Sequence, residues 1–186
     1  MFRTIKQLSI PIIVLALSAC TIIDKEIPVV TDFKADAYVG TWYEIARLDH
    51  SFERGLTHVT ATYNLKGDAL QVINRGFNPV SRTWKEAEGI AYFMKGRNTG
   101  LLKVSFFRPF YGAYQVHALL PHNPVNGNYQ NSIVMGPNDS YLWLLSRTRQ
   151  VTPEIKADFI HQVQQLGIDP NKLIWVTQTP QPELKN

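Results

Sequence analysis

The sequence predicts an all-β fold of eight short antiparallel strands, followed by one helix and a short final strand. Three observations lead to this prediction. Apolar and polar residues alternate along several short segments, turn-forming residues separate these segments every 8–12 residues or so, and only one stretch has helical periodicity. Strands joined by successive hairpins can close into a barrel or pack as a sandwich, and the periodicity alone leaves both open.

The predicted strands follow one another at regular intervals along the chain. They are placed near 41–49, 57–65, 69–77, 84–94, 101–107, 112–120, 130–136 and 141–147, with a last one at 172–178. The separators include KGD (66–68), KGRNTG (95–100) and GPNDS (136–140). Gly, Pro, Asn and Asp dominate them, as tight turns require.

The helix is predicted between Thr152 and Gly167. Thr152 is a suitable N-cap, Pro153 fits the first turn, and Gly167 fits the C-terminal cap. One apolar stripe runs between them, formed by Ile155, Phe159, Val163 and Leu166. A helix with a single apolar stripe is expected to pack on the outside of the sheet.

Length and charge exclude several classes of protein. The chain has 186 residues, enough for one domain plus a processed segment. Its formal net charge is +4, and without Arg3 and Lys6 the balance is 17 basic against 15 acidic residues. This balance is too mild to indicate a nucleic-acid partner, so none is predicted.

The first residues have the pattern of a secretory signal. MFRTIKQ carries two positive charges, LSIPIIVLALSA carries none, and Cys20, the only cysteine of the chain, follows. The apolar run ends at Asp24 and is shorter than the roughly 20 residues that a membrane-spanning helix needs. Residues 1–19 are therefore predicted to be a signal peptide.

The four residues LSAC, Leu17 to Cys20, resemble the bacterial lipobox. The resemblance implies cleavage before Cys20 and lipid modification of that residue, with residues 20–30 as an acylated tether. Thr21 stands where inner-membrane retention favours Asp, so the resemblance implies the outer membrane, with the domain facing the periplasm. The alternative is a plain secreted protein whose Cys20 is an incidental free thiol.

Three ordered motifs resemble the signatures of the lipocalin family. Gly40-x-Trp42 resembles the first, GPNDSYLWLLSR (136–147) the second, and Arg147 the third. GTWYEIARLDHSFERG, VTATYNL and KVSFF are similar to segments of the bacterial outer-membrane lipocalins, which are similar to apolipoprotein D. The resemblance spans 31–179, leaves 180–186 as a C-terminal tail, and implies an eight-stranded antiparallel up-and-down barrel with the helix packed outside.

The lipocalin resemblance also implies a cup inside the barrel, closed at one end by Arg147 lying over Trp42. Strand alternation then predicts which side chains face the cup. These candidate ligand-binding residues are Glu44, Ala46, Ala61, Tyr63, Val72, Asn74, Leu102, Val104, Phe106, Tyr114, Val116, Tyr141 and Trp143. A mostly apolar lining with a few polar atoms suits a lipid chain. The alternative is that these side chains fill the barrel.

Glu44 raises a separate question, because the predicted cup is otherwise mostly apolar. A carboxyl group buried there has a raised pKa unless it is solvated or paired. An ionised Glu44 would repel a fatty-acid carboxylate. The ligand's head group is therefore expected to lie toward the mouth or to be zwitterionic.

No catalytic set is found in the sequence, and no cofactor or metal is predicted. The histidines form no H-x-H or H-E-x-x-H pair, and G-x-S-x-G and phosphate-binding glycine motifs are absent. Asp36, Asp49 and Glu53 are expected to be caps, turn residues or surface charges. The sequence thus predicts a membrane-anchored protein that binds and stores or transports fatty acids or lysophospholipids in the cell envelope. A role in envelope stress and a homodimer around the barrel mouth are left open. A lipid-modifying enzyme and a purely structural lipoprotein are the alternatives.

Overall fold

The computed structural model describes residues 23–179, so the predicted signal peptide, Cys20 and the tail 180–186 lie outside the described residues. The chain forms a short helix α1 (Ala35–Tyr38), eight main strands, a helix α2 (Pro153–Gln165) and a last strand β9 (Ile174–Trp175). The main strands are β1 (Gly40–Arg47), β2 (Thr57–Lys66), β3 (Ala69–Asn78), β4 (Thr83–Phe93), β5 (Leu101–Phe107), β6 (Phe110–Leu120), β7 (Asn131–Met135) and β8 (Leu142–Ser146).

The eight main strands form a closed antiparallel barrel. Each strand pairs with the next along the chain, and β1 pairs with both β2 and β8, which closes the sheet. The predicted barrel is therefore confirmed, and the sandwich is excluded. β9 pairs with Ala46 and Arg47 at the C-terminal end of β1.

The two ends of the barrel differ. The connections 48–56, 79–82, 108–109 and 136–141 lie at one end, which we call the open end. The connections 67–68, 94–100 and 121–130, together with α1, lie at the other, which we call the closed end. The apolar core inside the barrel includes Tyr38 of α1, Trp42 at the start of β1 and Tyr129 of the 121–130 connection. This core therefore fills the closed half.

Helix α2 packs on the outer face of the sheet, as predicted. Thr152 Oγ1 accepts a hydrogen bond from the Ile155 backbone N–H at 3.4 Å, and Gly167 has the positive φ of 78° expected of a C-terminal cap. Phe159 and Val163 are fully buried against a second apolar core that includes Ile133 and Leu144. The sheet thus has an apolar core on each face.

Strand β1 contains a bulge between Glu44 and Ala46. Glu44 is opposite Leu145 of β8, but Ala46 is opposite Leu144, so one extra residue is accommodated. Beyond the bulge the alternation is reversed. Ala46 faces the outer core under α2, and Arg47 is buried with Glu44. The position predicted for Ala46 in the cup is therefore wrong.

The N-terminal segment is more ordered than a tether. Asp24 N–H donates to the Pro137 carbonyl at 2.9 Å, and Val30 N–H donates to Val116 at 3.0 Å. Ile27 is 6% exposed. The chain therefore lies along the barrel wall from Asp24 onward, and the predicted tether is correspondingly shorter. Within residues 23–179 no helix is both long and apolar enough to cross a membrane.

Candidate ligand-binding site

A cavity of about 90 Å³ lies in the open half of the barrel. Of the predicted positions, the structure places Glu44, Ala61, Tyr63, Val72, Asn74, Val104, Phe106, Tyr114 and Trp143 around it. A wider cleft of about 450 Å³ adjoins it toward the open end, and Phe52, Glu53, Val59, Asn74 and Phe106 line both. The interior space therefore continues to the surface through the mouth.

The remaining predicted positions lie elsewhere. Leu102 and Val116 face the barrel interior but are fully packed in the closed-end core, below the cavity. Tyr141 precedes β8 in the 136–141 connection, where its ring stacks on His50 with centroids 5.6 Å apart. Together with Ala46, these residues do not line the cavity. Alternation identifies the inward face of a strand but not the depth at which the core ends.

Several lining residues were not predicted. They are Phe52, Glu53, Val59, Thr60, Ala91, Ala113, Val134 and Leu145. Ala91, Val134 and Leu145 could have been found by extending alternation to every strand. Phe52 and Glu53 come from the connection between β1 and β2, whose fold over the mouth no local pattern reveals.

Glu44 and Arg47 form a buried ion pair at the mouth side of the cavity. Arg47 Nη1 donates to Glu44 Oε1 at 2.6 Å, and both side chains are almost fully buried. Arg47 Nη2 also donates to the backbone carbonyls of Glu53 at 2.9 Å and Leu56 at 3.3 Å. The 48–56 connection is thereby held over the cup by one guanidinium group.

Glu53 extends this cluster and is buried, not a surface charge as expected. Trp143 Nε1 donates to Glu53 Oε2 at 3.1 Å, and His50 Nε2 lies 3.0 Å from the same oxygen. Burial raises the pKa of Glu44 well above its usual range, and repulsion from Glu53 adds to this, whereas Arg47 opposes both. Burial also raises the pKa of Glu53, but contacts with His50, Trp143 and Glu44 outweigh it, so the pKa is lowered. Of the two carboxyl groups, Glu44 therefore keeps a proton to higher pH than Glu53 does.

The floor of the cavity is a cluster of tyrosine hydroxyl groups. Tyr114 Oη lies 2.7 Å from Tyr38 Oη and 2.8 Å from Tyr63 Oη, and Tyr38 Oη lies 3.1 Å from Ser132 Oγ. Burial raises the pKa of Tyr38 to about 12 and those of Tyr63 and Tyr114 well above their usual range. The floor is therefore neutral, and its polar groups hydrogen-bond to one another.

Arg147 closes the barrel beneath this floor. Its guanidinium carbon lies 3.8 Å from the centroid of the Trp42 ring. Its nitrogens donate to the backbone carbonyls of Ala37, Tyr38, Val39, Thr41 and Tyr129. Gly40 has a φ of 94°, and a Cβ there would lie 3.3 Å from Arg147 Nη1. The glycine thus permits both the backbone turn and the approach of the arginine.

An eight-stranded barrel with a sealed floor, an apolar cup and one buried charged cluster at its mouth defines a binding protein for a small apolar molecule. Within the described residues, no group of three or more His, Cys, Asp or Glu side chains could hold a metal ion.

Comparisons with known proteins agree with this class. The family model described as a lipocalin-like domain matches residues 33–178. The outer membrane lipoprotein Blc of Vibrio cholerae is 48% identical over 163 residues, covering 87% of this chain and 92% of the relative. Rabbit (Oryctolagus cuniculus) apolipoprotein D is 27% identical over 165 residues, which cover 84% of this chain and 82% of the relative. The solved structure of the cockroach allergen Per a 4 superposes with a TM-score of 0.64 at 18% identity, covering 83% of this chain and 94% of the allergen.

The chain therefore belongs to the lipocalin family. Its similarity to the outer membrane lipoproteins also confirms the predicted outer-membrane location.

Proposed function

We propose that the protein binds one fatty acid or lysophospholipid in its cup, without chemistry, and stores or carries it at the outer membrane. The observation that supports this most directly is the mostly apolar cavity with a neutral floor and its only charges at the mouth. A lipid chain would enter tail first, because the floor offers no free charge to a head group. Each buried CH₂ would contribute about 0.8 kcal/mol.

The charged cluster favours a zwitterionic head group over a bare carboxylate. Glu53 is ionised beside the cavity, with the Trp143 ring next to it. A choline or ethanolamine cation would be attracted to both groups, whereas a fatty-acid carboxylate would be repelled by Glu53. We therefore expect lysophosphatidylcholine to bind more tightly than palmitate, with its cation at the mouth.

Fluorescence titration tests the binding. Trp143 lines the cavity and should report occupation, so saturable one-site titrations with lysophosphatidylcholine and palmitate are expected, the first tighter. Trp143→Phe should lose the signal, and Trp175→Phe, on the outer wall, should keep it. Failure of every lipid class to bind would instead leave a structural lipoprotein with a filled barrel.

An enzymatic function is the second candidate, because Glu44 and Glu53 form a carboxyl pair whose pKa values are shifted in opposite directions. Such pairs serve as acid and base in enzymes. Here, however, Arg47 and Trp143 already occupy their oxygens. We expect mass spectrometry to recover the bound lipid unchanged after long incubation; a hydrolysed or transferred acyl chain would support the enzyme.

The remaining parts of the proposal concern the cellular setting. Acylation of Cys20 would anchor the protein, and a Cys20→Ala variant should leave the membrane fraction. A role in envelope stress predicts that a strain lacking the protein recovers more slowly from osmotic or detergent shock. Light scattering of the purified protein tests for the homodimer.

A further inference from the structure

The most exposed large apolar side chains of the described residues share one end of the barrel. Phe52 is 56% exposed, Val80 93%, Phe107 76% and Phe110 70%. All four lie in or beside the open-end connections between β1 and β2, β3 and β4, and β5 and β6. Single exposed apolar residues need no explanation, but a cluster at one end marks an interaction surface.

The same connections carry three arginines, Arg54, Arg82 and Arg108, against the acidic Asp49 and Glu53. Arg82 lies in the turn after β3 and Arg108 directly after Phe107, and both are exposed. Of the exposed acidic residues in or beside the open-end connections, Asp49 pairs with Arg54 at 2.8 Å and Asp139 with Lys25 at 2.8 Å, and Asp24 accepts a hydrogen bond from Asn138 Nδ2 at 3.0 Å. Aromatic side chains with arginines beside them suit a layer of phosphate head groups over apolar chains.

The start of the described chain lies at this end as well. The Asp24 and Lys25 N–H groups both donate to the carbonyl of Pro137, in the 136–141 connection of the open end. From there the chain runs toward the closed end, where Phe33 N–H donates to Asn98. Cys20 precedes Asp24 by four residues, at most about 14 Å of extended chain. An acyl chain at Cys20 would therefore enter a bilayer close to the exposed aromatic residues.

We propose that the open end of the barrel docks on the lipid bilayer. Phe52, Val80, Phe107 and Phe110 lie at head-group depth, and Arg82 and Arg108 contact lipid phosphates. A second copy placed mouth to mouth would bring these arginines near one another, whereas lipid phosphates complement them. One consequence rests on the proposed function: a lipid could pass between bilayer and cup without crossing water.

The docking is tested with the full chain reconstituted in phosphatidylethanolamine and phosphatidylglycerol vesicles. An NBD fluorophore is attached at Phe110→Cys on the open end or at Val125→Cys on the closed end, and the vesicles carry doxyl-labelled lipid as quencher. Both sites are exposed, Phe110 at the start of β6 and Val125 in the 121–130 connection, and the unsubstituted chain gives the background labelling of Cys20. We expect the Phe110 site to lose most of its emission and the Val125 site to be unaffected.

Equal quenching at both sites, or none at either, would overturn the proposal. A second copy on the open end would shift NBD emission to the blue without doxyl quenching, and this result would also overturn it. A paired variant, Phe107→Ser with Phe110→Ser, should abolish most quenching of NBD at Val80→Cys. The matched closed-end pair, Leu65→Ser with Met94→Ser, should not. No ligand is added, so these results do not depend on whether the cup binds lipid.

Discussion

Glu44 and Arg47 are three residues apart on one strand, a spacing that regular alternation would place on opposite faces of the sheet. The bulge after Glu44 turns Arg47 inward, and the two side chains meet at 2.6 Å. A buried charge whose partner is removed costs roughly 3–5 kcal/mol. The pair therefore stabilises the local backbone and also places polar groups at the mouth of the cup.

The protonation of Glu44 gives a pH-dependent stability that Glu44→Gln should remove. The pKa of Glu44 is raised in the folded protein, so the folded state keeps a proton that the unfolded chain releases above its usual pKa of 4.5. The stability from this group is thus complete below that value and falls as pH rises toward the folded pKa. Urea unfolding between about pH 5 and about pH 8 should show this decline in the wild type and a flatter profile in the variant.

The sign of this prediction can be checked against Glu53, whose lowered pKa acts in the opposite direction. Stability from Glu53 is lost only as pH falls below the usual value. A Glu44→Gln variant whose stability falls between pH 5 and pH 8 as steeply as the wild type's would show that Glu44 is ionised in the folded protein.

Arg147→Ala should destabilise the closed end. The variant loses the contact with Trp42 and leaves backbone carbonyls of α1 and its neighbours without their donor. We expect a loss of roughly 2–4 kcal/mol in the free energy of unfolding, and only partial rescue by Lys, which lacks the planar fork.

Arg149→Ala is the matched control for Arg147→Ala. Arg149 also lies over an aromatic ring, 4.6 Å from the centroid of Tyr43. As a peripheral contact it should cost less than about 1 kcal/mol. Equal losses in the two variants would mean that Arg147 is no more than a surface cation.

Sequence reasoning reached Trp42 and Arg147 because their motifs lie at opposite ends of the domain sequence and match a family pattern. It did not predict the Glu44–Arg47 pair, because the pair depends on a bulge of one extra residue, and no residue type in the sequence indicates a bulge. It also misjudged Glu53, since a carboxylate in a connection between strands is normally solvated.

At the scale of elements, strand β4 is paired differently in its two halves. It pairs with β3 from Thr83 to Tyr92, but its pairing with β5 covers only Ile90–Phe93. Gly89 directly precedes the residues that pair with β5. A Cβ at this position would lie 2.7 Å from the Ser105 carbonyl oxygen. Residues 83–89 of β4 are thus paired with β3 alone, and they lie next to the cleft that leads to the cavity.

Hydrogen exchange should reveal this split. Alternate amides of residues 83–89 face away from β3 and are expected to exchange much faster than the amides of 90–92, where β4 is paired on both sides. Residues 70–75 of β3, which are paired with both β2 and β4, serve as the internal control. Exchange is measured by NMR. Uniform protection along β4 would mean that residues 83–89 also pair with β5 in solution.

The sequence predicted helix α2 and missed α1 for the same physical reason. Helix α2 has a cap, an apolar stripe and a terminating glycine within its own residues, so local signals suffice. Helix α1 has four residues, no side-chain cap and buried Ala37 and Tyr38. A helix that short is stabilised by tertiary packing, which a single sequence does not display.

At the scale of the whole molecule, the two apolar cores that stabilise the fold are separate from the cavity that is the candidate binding site. The outer core under α2 and the closed-end core are densely packed, and several of their side chains are fully buried. The open half of the barrel interior holds the cavity, because Ala61, Ala91 and Ala113 stand there where larger residues would fill it. The sequence predicted one of these alanines, Ala61, to face the cup. It could not show that Leu102 and Val116 close the core below, because that depth depends on tertiary packing.

If the cup holds a lipid chain, filling it should weaken binding without unfolding the barrel. Ala61 lines the cavity and is opposite Trp42 on β1 and Asn74 on β3. Ala61→Leu adds three carbons to this wall, which would displace a similar length of ligand chain. Displacing two to three CH₂ groups costs roughly 2 kcal/mol, or on the order of thirtyfold in affinity for lysophosphatidylcholine. Ala157→Leu, on the exposed face of α2, is the control of equal size and should bind as the wild type does. Calorimetric titration of both variants, with urea unfolding to verify the fold, makes the comparison. Unchanged affinity in a folded Ala61→Leu variant would place the ligand outside the cup, and the small side chains of the open half would then need another explanation.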